Sequence, residues 1–362
     1  MKYIFAGGGT GGHIFPAIAI ADEVRKADNR ADILFIGAKG RIEEKIVPSN
    51  NYRLETIELK GIDRSNILKN IKLPLMLIGS FRKCMAILKD FEPDVVVGTG
   101  GFVCGPVIYA AGLLKIPTLI QEGNSFAGKT IKFLSVRSDR VVINFRETEK
   151  YLKRKDNIVQ ISHPVRSSLK KTDRNEANVF FDLSPDRKTI FIFGGSQGAT
   201  GINKAFEKIS VKLAESGLNI IWQTGKSDYS RLKNKFENEE RRIKILEFID
   251  NIDIAYSAAD LVICRAGITS IMELSLLQKA AILIPLPSSA ENHQEMNARS
   301  LTEMNAAIML RESETESKLY QEIRNIIDDE NRSEELSANI KKFSDPESAK
   351  KISEEVFKLI RK

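Results

Sequence analysis

Residues 7–13 read Gly-Gly-Gly-Thr-Gly-Gly-His (GGGTGGH) and stand directly behind the apolar run Tyr3-Ile4-Phe5-Ala6. Five of the first six residues are glycine. Glycine gives up more backbone entropy on folding than any other residue, so such a run persists only where bare backbone is needed. A strand, a glycine loop and a helical pattern from Pro16 to Lys26 spell a strand-to-helix turn. Amides at such a helix N-terminus suit a phosphate or the hydroxyls of a sugar. Gly7-x-Gly9-x-x-Gly12 also matches the dinucleotide fingerprint by letter. The second strand, however, ends Gly37-Ala38-Lys39, without the acidic residue a nicotinamide cofactor's ribose wants, which disfavours an oxidoreductase.

Outward from this loop, short apolar runs alternate with helical patterns. The first half predicts strands at Lys2–Ala6, Ile33–Gly37, Val95–Gly98, Thr118–Gln121 and Arg140–Ile143, with a helix at Gly128–Ser135 among those between them. The second half predicts strands at Thr189–Phe193, Ile220–Gln223, Ile243–Leu246, Leu261–Cys264 and Ala281–Ile284. Such alternation argues parallel sheets covered by helices. The halves echo each other: KYIFAGGGTGGH matches KTIFIFGGSQGA, and DVVVGTGGFVCGP matches DLVICRAGITS. Each half reads as one Rossmann-like unit with two glycine loops at the carboxyl ends of its strands, where ligands of open α/β sheets bind. The fold class is therefore α/β, two Rossmann-like domains facing across a cleft. The expected domains are residues 1–163, 164–342 and a C-terminal helix, 343–362, returning to the first. Asp345-Pro346 announces that helix, and Ile352, Val356 and Ile360 share one face of it.

The chain has 362 residues, 42% hydrophobic and 28% charged, with net charge +7. That composition is globular, and the basic excess fits phosphate-bearing ligands or an anionic surface without choosing between them. Three cysteines, Cys84, Cys104 and Cys264, give no paired spacing for a disulfide framework or a zinc site. The chain enters directly with a strand, so no signal peptide is expected. No window approaches the roughly 18 continuous apolar residues of a spanning helix.

Several residues fall at the ligand edge. His13 stands where the first loop meets its helix; Ser196 offers a hydroxyl beside the second loop's amides. Glu273 sits in the helix after CRAG, either as a surface carboxylate or as an acceptor for ribose hydroxyls. ENHQEMNA (291–298) opens a helix after the next strand, where capping is the plainer explanation. Gly225-Lys226-Ser227 lacks the upstream glycine of a P-loop, since position 220 is Ile. Residues 67–81, ILKNIKLPLMLIGSF, carry more apolar residues than one helix face holds; Pro74 is expected to interrupt them, and Lys69, Lys72, Arg82 and Lys83 lie close by.

GGGTGGHIFPAIAIA, GTGGFVCGP, QEGN, PVR, GGSQGA, EFID, CRAGITSIMEL and HQEMNA occur in this order across essentially the whole chain. Together they resemble the MurG family of glycosyltransferases, family 28 of the two-Rossmann-domain (GT-B) class. That resemblance implies transfer of N-acetylglucosamine from UDP-N-acetylglucosamine to the 4-hydroxyl of undecaprenyl-diphosphate-linked N-acetylmuramoyl-pentapeptide, with inversion, in peptidoglycan synthesis. It implies a donor site in the second domain: uracil against Ile249 and Ile268, ribose on Glu273, diphosphate on Ser196 and the amides near Thr269. The run Ser270, Ile271 and Met272 and the pair His293 and Gln294 complete that side. From the first domain, Thr10, Gly11, Gly12, Asn124 and Arg166 would close on the donor. Gly100, Gly101 and Asn124 would meet the acceptor, with His13 as the candidate base. Leu75, Ile78 and Phe81 would touch an anionic membrane at the cytoplasmic face of the inner membrane. The resemblance also leaves room for other cell-wall synthesis proteins as partners, and neither nucleic acid nor a tightly bound metal or other cofactor is expected. The chain departs from the family pattern at ISHPVR, where Gly-Asn-Pro-Val-Arg is usual, and at QEGN, which replaces Glu-Gln-Asn. Other GT-B enzymes (a diacylglycerol glucosyltransferase or a UDP-N-acetylglucosamine 2-epimerase) and a non-catalytic nucleotide-sugar-binding protein are the alternatives.

Overall fold

A computed structural model describes residues 1–61, 71, 73–166, 169–195, 198–239 and 241–360. The chain forms two compact units, residues 1–167 with 345–362, and residues 168–344.

In the first unit the chain runs β1 (Lys2–Ala6), α1 (Gly11–Ala27), β2 (Asp32–Ala38), α2 (Glu43–Ser49), β3 (Arg53–Ile57), α3 (Leu73–Phe91), β4 (Val95–Gly98), α4 (Gly101–Leu113), β5 (Thr118–Glu122), α5 (Lys129–Ser135), β6 (Arg140–Ile143) and β7 (Ile158–Gln160). The described strands form one parallel sheet in the order β3-β2-β1-β4-β5-β6-β7. The central strands are buried on both faces, which is why they read as continuous apolar runs. One apolar layer, with Ile4, Val96, Val107 and Ile131, lies under α3, α4 and α5. The other, with Phe5, Phe35, Ile14 and Ile18, lies under α1.

The second unit continues with α6 (Arg174–Phe180), β8 (Thr189–Phe193), α7 (Thr200–Glu207), α8 (Ser210–Glu215), β9 (Asn219–Gln223), α9 (Lys226–Lys235), β10 (Ile243–Leu246), α10 (Ile252–Ala258), β11 (Leu261–Cys264), α11 (Ile268–Leu277), β12 (Ala280–Leu283), α12 (His293–Thr302), β13 (Ile308–Met309), α13 (Thr315–Ile327) and α14 (Glu330–Ile340). Its described strands are parallel in the order β10-β9-β8-β11-β12-β13. α15 (Ser348–Ile360) belongs to the first unit, where it lies on α1 and buries Ile352, Val356 and Leu359. Phe357 meets Tyr3 edge to face, and Arg140 pairs with Glu355 at 3.0 Å.

The internal echo has a topological meaning. Its two motif pairs are β1 with β4 and β8 with β11, which are neighbours at the centre of each sheet. Register levels their ends, Ala6 with Gly98 and Phe193 with Cys264, so each unit emits two glycine loops side by side. The strand order reverses at that point in both sheets, which is where α/β sheets open a crevice.

The apolar stretch around Pro74 corrects the expectation of an interruption. Pro74 is the second residue of α3, and the helix runs on to Phe91. A proline in the first turn removes an N–H that has no helical partner there. Leu75 and Ile78 are exposed, whereas Phe81 is half-buried against Tyr109. Lys83 is engaged, donating to the Thr56 carbonyl at 2.7 Å and lying 3.7 Å from Glu55. Lys69 and Lys72 lie outside the described residues.

Candidate active site

The first glycine loop is shaped by what surrounds it. Gly9 has φ +87°, in the left-handed region that favours glycine, and its N–H donates to both carboxylate oxygens of Glu43 at 3.0 and 3.2 Å. α1 begins at Gly11, earlier than expected, so Gly11, Gly12 and His13 form its first turn. The His13 ring packs on the second loop. A Cβ at Gly100 would lie 2.7 Å from its Nδ1, so only glycine leaves room for the imidazole. Nδ1 is 3.1 Å from the Thr99 carbonyl oxygen, and the Thr99 hydroxyl donates back to the His13 carbonyl at 2.7 Å. A carbonyl only accepts, so the Nδ1 bond places a proton on that nitrogen and gives neutral His13 a basic Nε2.

The loop after β5 is tied by Glu122, which is buried. Its carboxylate accepts from the Asn124 N–H at 3.0 Å, the Asn124 amide at 2.9 Å and the Gly128 N–H at 3.0 Å. Asn124 is thereby fixed at the carboxyl end of the sheet. The guanidinium of Arg166 stacks over the Phe15 ring at 5.3 Å, one turn along α1. Beneath these residues lies His163, 2% exposed. The Gln121 amide nitrogen is 2.8 Å from its Nδ1, and its backbone N–H donates to Asn144 at 2.9 Å. Burial, with a smaller electrostatic contribution from the neighbouring His13, pushes the His163 imidazole down to about 3, so it is neutral at physiological pH.

In the second unit the loop after β8 is equally tight. Gly198 has φ +78°, and a Cβ there would fall 2.4 Å from the Thr224 carbonyl oxygen. Gln223 staples two loops together: its amide donates to the Gly195 carbonyl at 3.2 Å, and its oxygen accepts the Ile249 N–H at 3.0 Å. Ser196 lies outside the described residues. α11 opens at Ile268 after Gly267, presenting Thr269 and Ser270 in its first turn, with Ile271 and Met272 buried behind them. Glu273 is 2% exposed and accepts a hydrogen bond from Tyr256 at 3.0 Å, so it is not a surface carboxylate. Gln294 accepts the Leu286 N–H at 2.9 Å, and His293 Nδ1 lies 2.5 Å from the Ala290 carbonyl. Glu295, one residue on, is held down to about 2 by hydrogen bonds from Asn292, Arg299 and Arg311.

The structure thus gathers Thr10–His13, Gly100, Gly101, Asn124 and Arg166 at the carboxyl edge of the first sheet. It gathers Ile249, Ile268–Glu273, His293 and Gln294 at the carboxyl edge of the second. Sequence reasoning missed Glu43, Thr99, His163, Gln223 and Tyr256. Each acts through a partner distant along the chain, as with Tyr256 and Glu273. Among the described residues no group of three His, Cys, Asp or Glu side chains is placed to hold a metal ion.

Comparison with known proteins turns this geometry into a family. The glycosyltransferase family 28 N-terminal domain matches residues 3–143, and the family 28 C-terminal domain matches residues 189–352. A transferase from Flavobacterium psychrophilum, named UDP-N-acetylglucosamine--N-acetylmuramyl-(pentapeptide) pyrophosphoryl-undecaprenol N-acetylglucosamine transferase, is 40% identical over 361 residues, covering 99% of this chain and 98% of its own. The chain belongs to glycosyltransferase family 28. A transferase of the same name from Christiangramia forsetii is 41% identical over 362 residues, covering 99% of this chain and 98% of its own. The crystal structure of Acinetobacter baumannii MurG superposes with a TM-score of 0.78 at 26% identity, covering 99% of this chain and 100% of that one. The two parallel sheets are thus those of a GT-B glycosyltransferase, a hexosyltransferase architecture.

Proposed function

We propose that this chain transfers N-acetylglucosamine from UDP-N-acetylglucosamine to undecaprenyl-diphosphate-linked N-acetylmuramoyl-pentapeptide. The observation that carries this reading is end-to-end similarity, 40% identity over 99% of the chain, to transferases named for that reaction. The acceptor belongs to the first unit, taken as residues 1–163, and the donor to residues 164–342, with 343–362 bracing the first. Glu273 takes the ribose, Ile249 and Ile268 flank the base, and the N-terminal turn of α11 faces the diphosphate. Gln294 and His293 border the sugar. Gly100, Gly101 and Asn124 meet the acceptor, and Thr10, Gly11, Gly12, Asn124 and Arg166 are the first unit's contribution to holding the donor.

The chemistry is one displacement at C1 of N-acetylglucosamine. The acceptor's 4-hydroxyl oxygen forms the new bond to C1. The bond from C1 to the UDP oxygen breaks, and UDP leaves with that electron pair. The hydroxyl proton passes to Nε2 of His13, whose tautomer is set by Thr99. A positioned base of this kind contributes about 100- to 10,000-fold. Helix N-termini supply positive potential for the leaving diphosphate.

The same reading places the protein on the cytoplasmic face of the inner membrane. Among the described residues no helix is long and apolar enough to cross a membrane. Support for surface attachment comes from the exposed Leu75 and Ile78 and from Arg137, which stacks 5.2 Å from the Phe133 ring. Measuring UDP release with and without the lipid acceptor tests the function. Release that requires the acceptor supports transfer. Acceptor-independent conversion of the donor makes the chain an epimerase, and donor binding without turnover makes it a binding protein.

A further inference from the structure

The first glycine loop is held by the protein's own anion. Glu43 opens α2 and is completely buried. Besides the two contacts from the Gly9 N–H, its carboxylate receives the Ala38 N–H at 3.0 Å. The sequence makes room for it twice. A Cβ at Gly8 would lie 2.1 Å from Glu43 Oε1, and a Cβ at Gly37 would lie 2.6 Å from its Cγ. Two glycines, one in the first loop and one in β2, are therefore explained by one side chain. A buried carboxylate is retained only when hydrogen bonds compensate its lost hydration, and here backbone amides do so.

We propose that Glu43 is a positioning residue for the transfer reaction: it pins the first glycine loop, and with it the helix turn that carries His13. Its carboxylate also claims the Gly9 amide, so that amide is not offered to a phosphate. An acceptor diphosphate on this edge is met by other amides. The idea rests on the transfer reading above but can fail separately from it.

Glu43→Gln keeps the size of the side chain, removes the charge and turns one acceptor into a donor facing backbone N–H groups. Three quantities decide: kcat for UDP release with lipid acceptor, UDP affinity by calorimetry, and deuterium exchange of the peptide covering residues 7–13. We expect kcat to fall at least tenfold, UDP affinity to stay within twofold, and the loop to exchange at least tenfold faster. Unchanged kcat, unchanged exchange, or a loss of UDP affinity in place of turnover each overturns the proposal. Should Glu43→Gln not fold, Gly8→Ala, whose methyl presses on the same carboxylate, is judged by the same readouts. Wild-type protein that releases no UDP with the acceptor sinks the transfer reading instead, and the exchange result then decides for Glu43 alone.

Discussion

His13 and Thr99, 86 positions apart, hold each other by two reciprocal hydrogen bonds: the imidazole Nδ1 to the Thr99 carbonyl at 3.1 Å, and the Thr99 hydroxyl to the His13 carbonyl at 2.7 Å. Side chain binds main chain in both directions. The ring is thereby fixed at the seam between the two glycine loops of one sheet, in the tautomer whose Nε2 is basic.

His13→Ala should therefore lower kcat by about 100- to 10,000-fold, the range of a lost general base. UDP affinity should hardly change, because the proposed uridine contacts belong to the other unit. His13→Gln restores polarity without a titratable nitrogen and should not rescue turnover. Steady-state kinetics with calorimetric UDP titration check both. Collapse of UDP affinity with turnover preserved at saturation would reverse the assignment of the two units.

Glu273 lies inside α11, not on its surface, and Tyr256 donates to it at 3.0 Å. A hydrogen bond to a charged group is worth about 1.5–3 kcal/mol. Glu273→Ala should cut kcat/KM for the donor by tens of fold with the fold intact. Tyr256→Phe keeps the carboxylate and removes only the hydrogen bond that orients it, so its effect on kcat/KM should be smaller. An unchanged kcat/KM in Glu273→Ala would remove Glu273 from the donor site.

Much of this was legible in the sequence because the central strands are apolar runs cut off by glycine. The strands left unseen, Arg53–Ile57, Ile158–Gln160 and Ile308–Met309, are all at sheet edges. RLETI lacks the continuous apolar run of the buried strands because an edge strand is half solvated, and IM is too short to show a period. The catalytic edge was legible as loops, since backbone geometry demands glycine locally. The side chains that tune it were not. Glu43 reads as one of two acids at a helix start, and only its distant neighbours Gly8 and Gly37 show that it turns inward.

His163 makes stability depend on pH in a definite direction. Its pKa is 6.5 in the unfolded chain and about 3 when folded, chiefly because burial disfavours the imidazolium. Above pH 6.5 both states are neutral, and the full stability is present. As pH falls below 6.5 the unfolded chain takes up a proton that the folded chain refuses. Stability is lost at up to about 1.4 kcal/mol per pH unit until pH approaches the folded value. His163→Asn keeps a polar group beside Gln121 and removes the titration. Urea midpoints of the first unit's unfolding between pH 7 and 5 should fall less steeply for the variant. Parallel slopes would show that His163 is already neutral, or already charged, in both states.

The exposed face of α3 gives the prediction for the membrane. Leu75 is 73% exposed and Ile78 51%, so positions i and i+3 of the helix share a face turned to solvent, and Ile71, ahead of the helix, is 71% exposed. Phe81 differs: it turns inward onto Tyr109, which leads on to Phe133 and to Arg137 stacked upon both rings. Burying a leucine or isoleucine side chain fully is worth about 1.5–3 kcal/mol, and partial immersion at an interface is worth part of that. Leu75→Ser with Ile78→Ser should therefore weaken vesicle binding by at least about tenfold, which corresponds to 1.4 kcal/mol. Phe81→Ser should instead lower the melting temperature, because it opens a gap beneath Tyr109. Arg137→Ser should blunt the preference for anionic lipid, since each basic residue near such a surface contributes about 1 kcal/mol. Co-sedimentation with anionic and neutral vesicles at low and high salt reads out all three. Equal binding to neutral vesicles in high salt would defeat the electrostatic part. An unchanged affinity for the Leu75 and Ile78 double variant would move the contact to another face, and no binding to any vesicle would end the membrane proposal.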